Sequence, residues 1–183
     1  MSVAPSDCIT ERHLLLFGTI VHRFARYEVL MQRIMATVTG SHLADVMLLT
    51  KTLTPDQKRI ALLDLLRHRA IPLDRFDAVY KYLTIPETFS LLLSDIEHSV
   101  WVAGKSSHSI QPDWILRPRP TIKPLHSGED GRSEGFLEDY EDKVEYSLEQ
   151  LRETAATLSE NYQGFAAYCR SVGLLAENDA KVG

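Results

Sequence analysis

The chain has 183 residues, 44% hydrophobic and 25% charged, with a formal net charge of −5. That length suits one domain around one core, and that composition fits a soluble globular protein rather than a disordered one. The acidic balance supplies no global basic field for nucleic acid, so any such contact has to use a local basic patch.

Residues 1–10 are polar and contain Pro5, which predicts a loose N-terminus. They lack the basic flank and apolar centre of a secretory signal. From Glu11 to Thr39 the apolar residues keep helical spacing: Phe17, Phe24, Met31 and Val38 fall seven apart, with Ile20, Tyr27 and Ile34 beside them. The pattern predicts one long amphipathic helix stopped by Gly40. Ser41 is placed to cap a second helix over about 42–51. Thr54-Pro55-Asp56-Gln57 reads as a cap followed by proline at the first helical position, opening a third helix to about Arg69. A fourth is expected over about 74–83, after Pro72-Leu73-Asp74. Pro86 is expected to start a fifth, which ends near His98.

After His98 the pattern changes. Val100-Trp101-Val102-Ala103, a Gly-Lys-Ser-Ser turn and Ser109-Ile110 suggest a β-hairpin or irregular extended segments within 100–122. Pro118, Pro120 and Pro124 argue against a long strand. Residues 123–135 read as an exposed loop. Helical periodicity returns from Phe136 to about Ser171, and Gly173 is a plausible stop. The expected architecture is mainly α: an up-and-down helical bundle at 11–172 with a small β-hairpin-like or irregular insert near 100–122, and a loose end at 173–183. No run of about 18 apolar residues exists, so no membrane span is expected. Cys8 and Cys169 are too few for a disulfide framework, which points to a reducing, cytoplasmic setting.

His98 is the residue closest to chemistry. A histidine at a helix end can carry protons near neutral pH, contact RNA, or serve only to cap carbonyls. Glu28 sits on the apolar stripe of the first helix, where a buried carboxylate needs a partner such as His98, His22 or an arginine. Trp101 and Trp114 can stack on a base or plug a core. Arg67-His68-Arg69 with Arg59, and Arg117, Arg119 and Lys123, form two basic clusters that can touch phosphate or simply be solvated. The histidines at 13, 22, 42, 68, 98, 108 and 126 show no metal-ligand spacing. No phosphate-cradling glycine loop or nucleophile elbow is present, so no cofactor is expected.

Three segments together resemble a known group. They are Phe24-Ala25-Arg26-Tyr27-Glu28 in a long first helix, Gln57-Lys58-Arg59-Ile60-Ala61-Leu62-Leu63 in the third, and His98-Ser99-Val100-Trp101 at a helix end. Their layout over residues 11–171 resembles the HEPN-like helical proteins, whose motif places an arginine four to six residues before a histidine. Here Leu92, Leu93 and Ser94 stand at that spacing. The resemblance implies a homodimer with His98 near a cleft between subunits. Without the arginine, it implies a non-catalytic module that binds a protein partner or RNA, in bacterial defence or a toxin–antitoxin pair. A metal-independent endoribonuclease using His98, with Arg67, Arg69 or a partner subunit's arginine as substitute, is the alternative. A structural or regulatory helical protein without a ligand is the third reading.

Overall fold

The structure, a computed structural model, describes residues 9–106, 108–113 and 145–175. Its described part is mainly helical with a small antiparallel sheet, as the periodicity predicts. The long first helix, α1, runs Glu11–Thr39, and Gly40 ends it in the left-handed region (φ 71°). Then come α2 (Leu43–Thr50), α3 (Pro55–His68), α4 (Leu73–Thr88) and α5 (Ser90–His98). The hairpin β1 (Val100–Ala103) and β2 (Ser109–Asp113) is joined by β3 (Tyr146–Ser147), and α6 (Leu148–Ser171) closes the fold. Among the described residues, no helix is long and apolar enough to cross a membrane.

The α1 helix forms the centre and packs on α6, α3, α2 and α5. Its stripe buries Phe17, Ile20, Phe24, Tyr27 and Ile34. Against it stand Leu151, Leu158 and Phe165 of α6, and Leu62 and Leu66 of α3. At the C-terminal end, Gly173 turns the chain (φ 73°), and Leu174 and Leu175 fold back into this core. The sequence pattern alone places those two leucines in a loose end at 173–183.

Two helix boundaries differ from the sequence expectation. Pro86 does not start a helix; it lies inside α4, which continues to Thr88. Proline removes the N–H that would bond the carbonyl four residues earlier. That carbonyl belongs to Tyr82, and Asn161 Nδ2 of α6 donates to it at 2.8 Å. An external donor therefore lets the helix run through. The break comes at Phe89 instead (φ −104°, ψ 5°). The last helix begins at Leu148 rather than Phe136: Tyr146–Ser147 forms β3, and 136–144 lie outside the described residues. Ser147 and Gln150 make a reciprocal capping box, with Gln150 N–H donating to Ser147 Oγ at 3.1 Å and Ser147 N–H to Gln150 Oε1 at 2.8 Å. Tyr146 and Ser147 pair with Ile110 and Ser109, which makes β2 the middle strand.

Glu145, just before β3, ties the sheet together. Its carboxylate accepts from the N–H of Lys105 (2.6 Å), the N–H of Ser106 (3.2 Å) and the hydroxyl of Ser109 (2.9 Å). Gly104 makes this closeness feasible, because a Cβ there would lie 2.1 Å from Ser109 Oγ. The bond from the Lys105 N–H, then that from Ser109, holds the Glu145 carboxyl at about 2, against an ordinary 4.5. A carboxyl depressed in the folded state stabilises above its unfolded pKa and loses that contribution as protons bind. The stability difference between wild type and Glu145→Gln should therefore be full above pH 4.5 and shrink as pH falls toward 2. Thermal melts across that range check it; a gap independent of pH would mean the carboxylate's charge is not what holds the turn.

Candidate functional site

His98 is the last residue of α5. Its side chain is 45% exposed, and Nε2 lies 3.9 Å from Glu97 Oε2. At that separation the contact is at the outer limit of an ion pair between two solvated groups. Among the described residues, no hydrogen bond or ion pair joins His98 to Glu28, Arg67 or Arg69.

Trp101, on β1, is 5% exposed. Its ring centroid lies 4.8 Å from that of Phe17 and 5.7 Å from that of Tyr146. A ring enclosed in this way has no face left for a base, so its place is the seam between sheet and α1. Trp114, Arg117, Arg119 and Lys123 lie outside the described residues.

The basic cluster at the end of α3 is divided among carboxylates. Arg67 donates to Asp64 at 3.3 Å and lies over the Phe76 ring, 4.9 Å from its centroid. Arg69 is exposed and caps the helix with its backbone. Arg59 points elsewhere, to Asp56 Oδ1 (2.7 Å) and across to Glu87 Oε1 of α4 (3.0 Å). The arrangement is that of a solvated face, with Arg59 and Arg67 on carboxylates and Arg69 exposed, rather than a phosphate clamp.

Glu28 does have the partner its position calls for, and it is none of those suggested by the sequence. Lys58 Nζ of α3 donates to Glu28 Oε2. The lysine side chain is only 9% exposed and the glutamate 29%. The sequence signal was present: Lys58 is four residues before Leu62 and eight before Leu66, on the buried stripe of α3. A lysine on one apolar stripe and a glutamate on the facing one are two halves of a pair.

This pair lies beside a cleft of about 370 Å³ between α1, α3 and the Pro86 end of α4. Phe24, Tyr27, Met31 and Leu83 give it apolar walls. Glu28, Asp56, Arg59 and Glu87 give it a charged margin. The Arg59–Glu87 bond spans from α3 to α4 at this margin. Among the described residues, no three His, Cys, Asp or Glu side chains are grouped closely enough to hold a metal ion. Cys169 is buried and free, and burial pushes its thiol up to about 12, which leaves it unreactive.

A second surface stands out on α2. Six of its eight residues are apolar, yet only Val46 and Thr50 are buried. Thr50 accepts from Gln32 Nε2 of α1 at 2.8 Å and anchors the inner side. On the outer side Met47, Leu48 and Leu49 are 43%, 62% and 78% exposed. No family model matches the chain, and no curated protein and no solved structure was found to be similar to it.

Proposed function

We propose that this chain is a non-catalytic HEPN-like helical module that acts by binding a protein partner, in the setting of bacterial defence or a toxin–antitoxin pair. The exposed Met47, Leu48 and Leu49 side chains of α2 carry this reading. A helix that is apolar on nearly all sides is normally buried on nearly all sides. Apolar side chains left contiguous on a surface mark a site of association. A net charge of −5 and a divided basic cluster favour protein over RNA as the partner. The solvated His98, paired with a carboxylate rather than a guanidinium, supports a non-catalytic role.

The partner that meets such a face with the least additional design is a second copy, through a two-fold contact of α2 on α2. Light scattering after size exclusion should give twice the 20.7 kDa chain mass for wild type. Leu48→Glu with Leu49→Glu should run at 20.7 kDa with unchanged helical circular dichroism. A wild-type monomer would overturn the self-association. Single-stranded RNA incubated in EDTA should stay intact. Cleavage lost in a folded His98→Ala variant would overturn the non-catalytic reading in favour of the ribonuclease.

A further inference from the structure

We infer that the cleft between α1, α3 and α4 is a binding site for a small cationic amphiphile: an amine or guanidine carried on a compact apolar body. The inference is independent of the α2 surface. It rests on how the donors and acceptors at the cleft margin are used.

Three carboxylates, Glu28, Asp56 and Glu87, line the cleft. Two cations face them, Lys58 and Arg59, which leaves one negative charge in excess. Both cations are engaged with carboxylates, although Nη1 of Arg59 has no protein partner among the described residues. Lys58 donates to Glu28 and, at 9% exposure, is not among the residues that line the cleft. Arg59 uses Nε and Nη2 on Asp56 Oδ1 and Nη2 again on Glu87 Oε1. The acceptors are not used up. Each carboxylate engages a single oxygen: Oε2 of Glu28, Oδ1 of Asp56, Oε1 of Glu87. An ionised carboxylate offers about four lone-pair directions, so most of the accepting capacity at this margin has no protein partner among the described residues. Unused acceptors outnumber unused donors at this margin, so a ligand that satisfies most of it donates, and a positive charge also answers the excess negative one.

The walls select the remainder of the ligand. Phe24, Tyr27, Met31 and Leu83 present carbon to a space of about 370 Å³, at the small end of ligand-sized sites. Pro55 and Pro86 border it with backbone that has no N–H to offer an anion. An aromatic or branched aliphatic body fills the floor while its cationic head reaches the carboxylates. An anion of the same shape meets the excess negative charge, and the Arg59 it would turn to is already shared between Asp56 and Glu87 at Nε and Nη2.

The test uses the whole chain, labelled with ¹⁵N, and two probes of similar shape, 2-phenylethylamine and phenylacetate. The amine should give saturable amide shifts confined to the cleft residues of α1, α3 and α4, with an affinity about tenfold above that of phenylacetate, the scale of one partly solvated charge contact. Asp56→Asn with Glu87→Gln alters two exposed side chains and frees Arg59, so the preference for the amine should vanish or reverse while the melting temperature stays close to wild type. Phenylacetate binding as tightly as the amine to wild type would overturn the inference. So would amine shifts outside the cleft, a preference unchanged in the double variant, or no saturation by the amine below about 10 mM, a weak limit for so small a ligand.

Discussion

Glu28→Ala will destabilise the protein by about 2–4 kcal/mol, the cost of leaving a buried lysine charge without its counter-ion. Lys58 is held on the inner stripe of α3 with 9% of its side chain exposed, and Glu28 is its one carboxylate among the described residues. Removing the glutamate leaves an ammonium in a place where water reaches it poorly. Removing the lysine instead is milder. Lys58→Met keeps the apolar stem and leaves Glu28, which is 29% exposed and can turn to solvent, at a cost of about 1 kcal/mol. Glu28→Leu with Lys58→Met should come within about 1 kcal/mol of wild type, because desolvating two charges offsets most of what their attraction supplies. Urea unfolding of wild type, Glu28→Leu, Lys58→Met and the Glu28→Leu/Lys58→Met protein forms a double-mutant cycle that isolates the pair. If the double variant is as unstable as Glu28→Ala, packing rather than charge governs this position.

The same pair illustrates what a sequence discloses and what it withholds. Glu28 is conspicuous because it interrupts an apolar stripe, and the need for a partner follows from the energy of a buried charge. The partner's identity depends on how α1 and α3 are rotated against each other across 30 residues of chain, and no local pattern encodes that. Strong local signals were legible: the seven-residue spacing from Phe17 to Val38 and the stop at Gly40 gave the bounds of α1, and Thr54-Pro55-Asp56-Gln57 marked the start of α3. Tyr146-Ser147 was not legible as a strand. A two-residue strand has no period of its own, and these residues continue the spacing of the helix that follows. Trp101 allows a core or a base contact, the core being the commoner use of such an aromatic, and the positions of Phe17 and Tyr146 around it decide for the core. Pro86 misled for a similar reason. A proline ends a helix when its freed carbonyl has no other donor, and Asn161, the donor here, is 79 residues from Tyr82.

Asn161 therefore has an effect out of proportion to its size, and Asn161→Ala should cost about 2–4 kcal/mol. Its Nδ2 carries two hydrogens, and both are used. One goes to the Tyr82 carbonyl at 2.8 Å, the other to the Tyr27 hydroxyl at 2.5 Å. Tyr27 is 2% exposed and donates in turn to the Leu158 carbonyl at 3.4 Å. Burial pushes its phenol well above the ordinary value, so it remains a protonated donor at any working pH. One amide thus joins α1, α4 and α6, and alanine leaves two part-buried acceptors short of a donor. The link to Pro86 makes the idea testable beyond the size of the loss. With alanine at 86 the backbone N–H returns, and the Tyr82 carbonyl regains a partner within its own helix. Pro86→Ala should accordingly stabilise the Asn161→Ala protein by about 1–2 kcal/mol more than it stabilises wild type, a non-additivity well above that of independent sites. Chemical denaturation of the two single variants and the double one measures that difference. Costs that add to within about 0.5 kcal/mol would show that the asparagine and the proline act separately, and that α4 passes through Pro86 for some other reason.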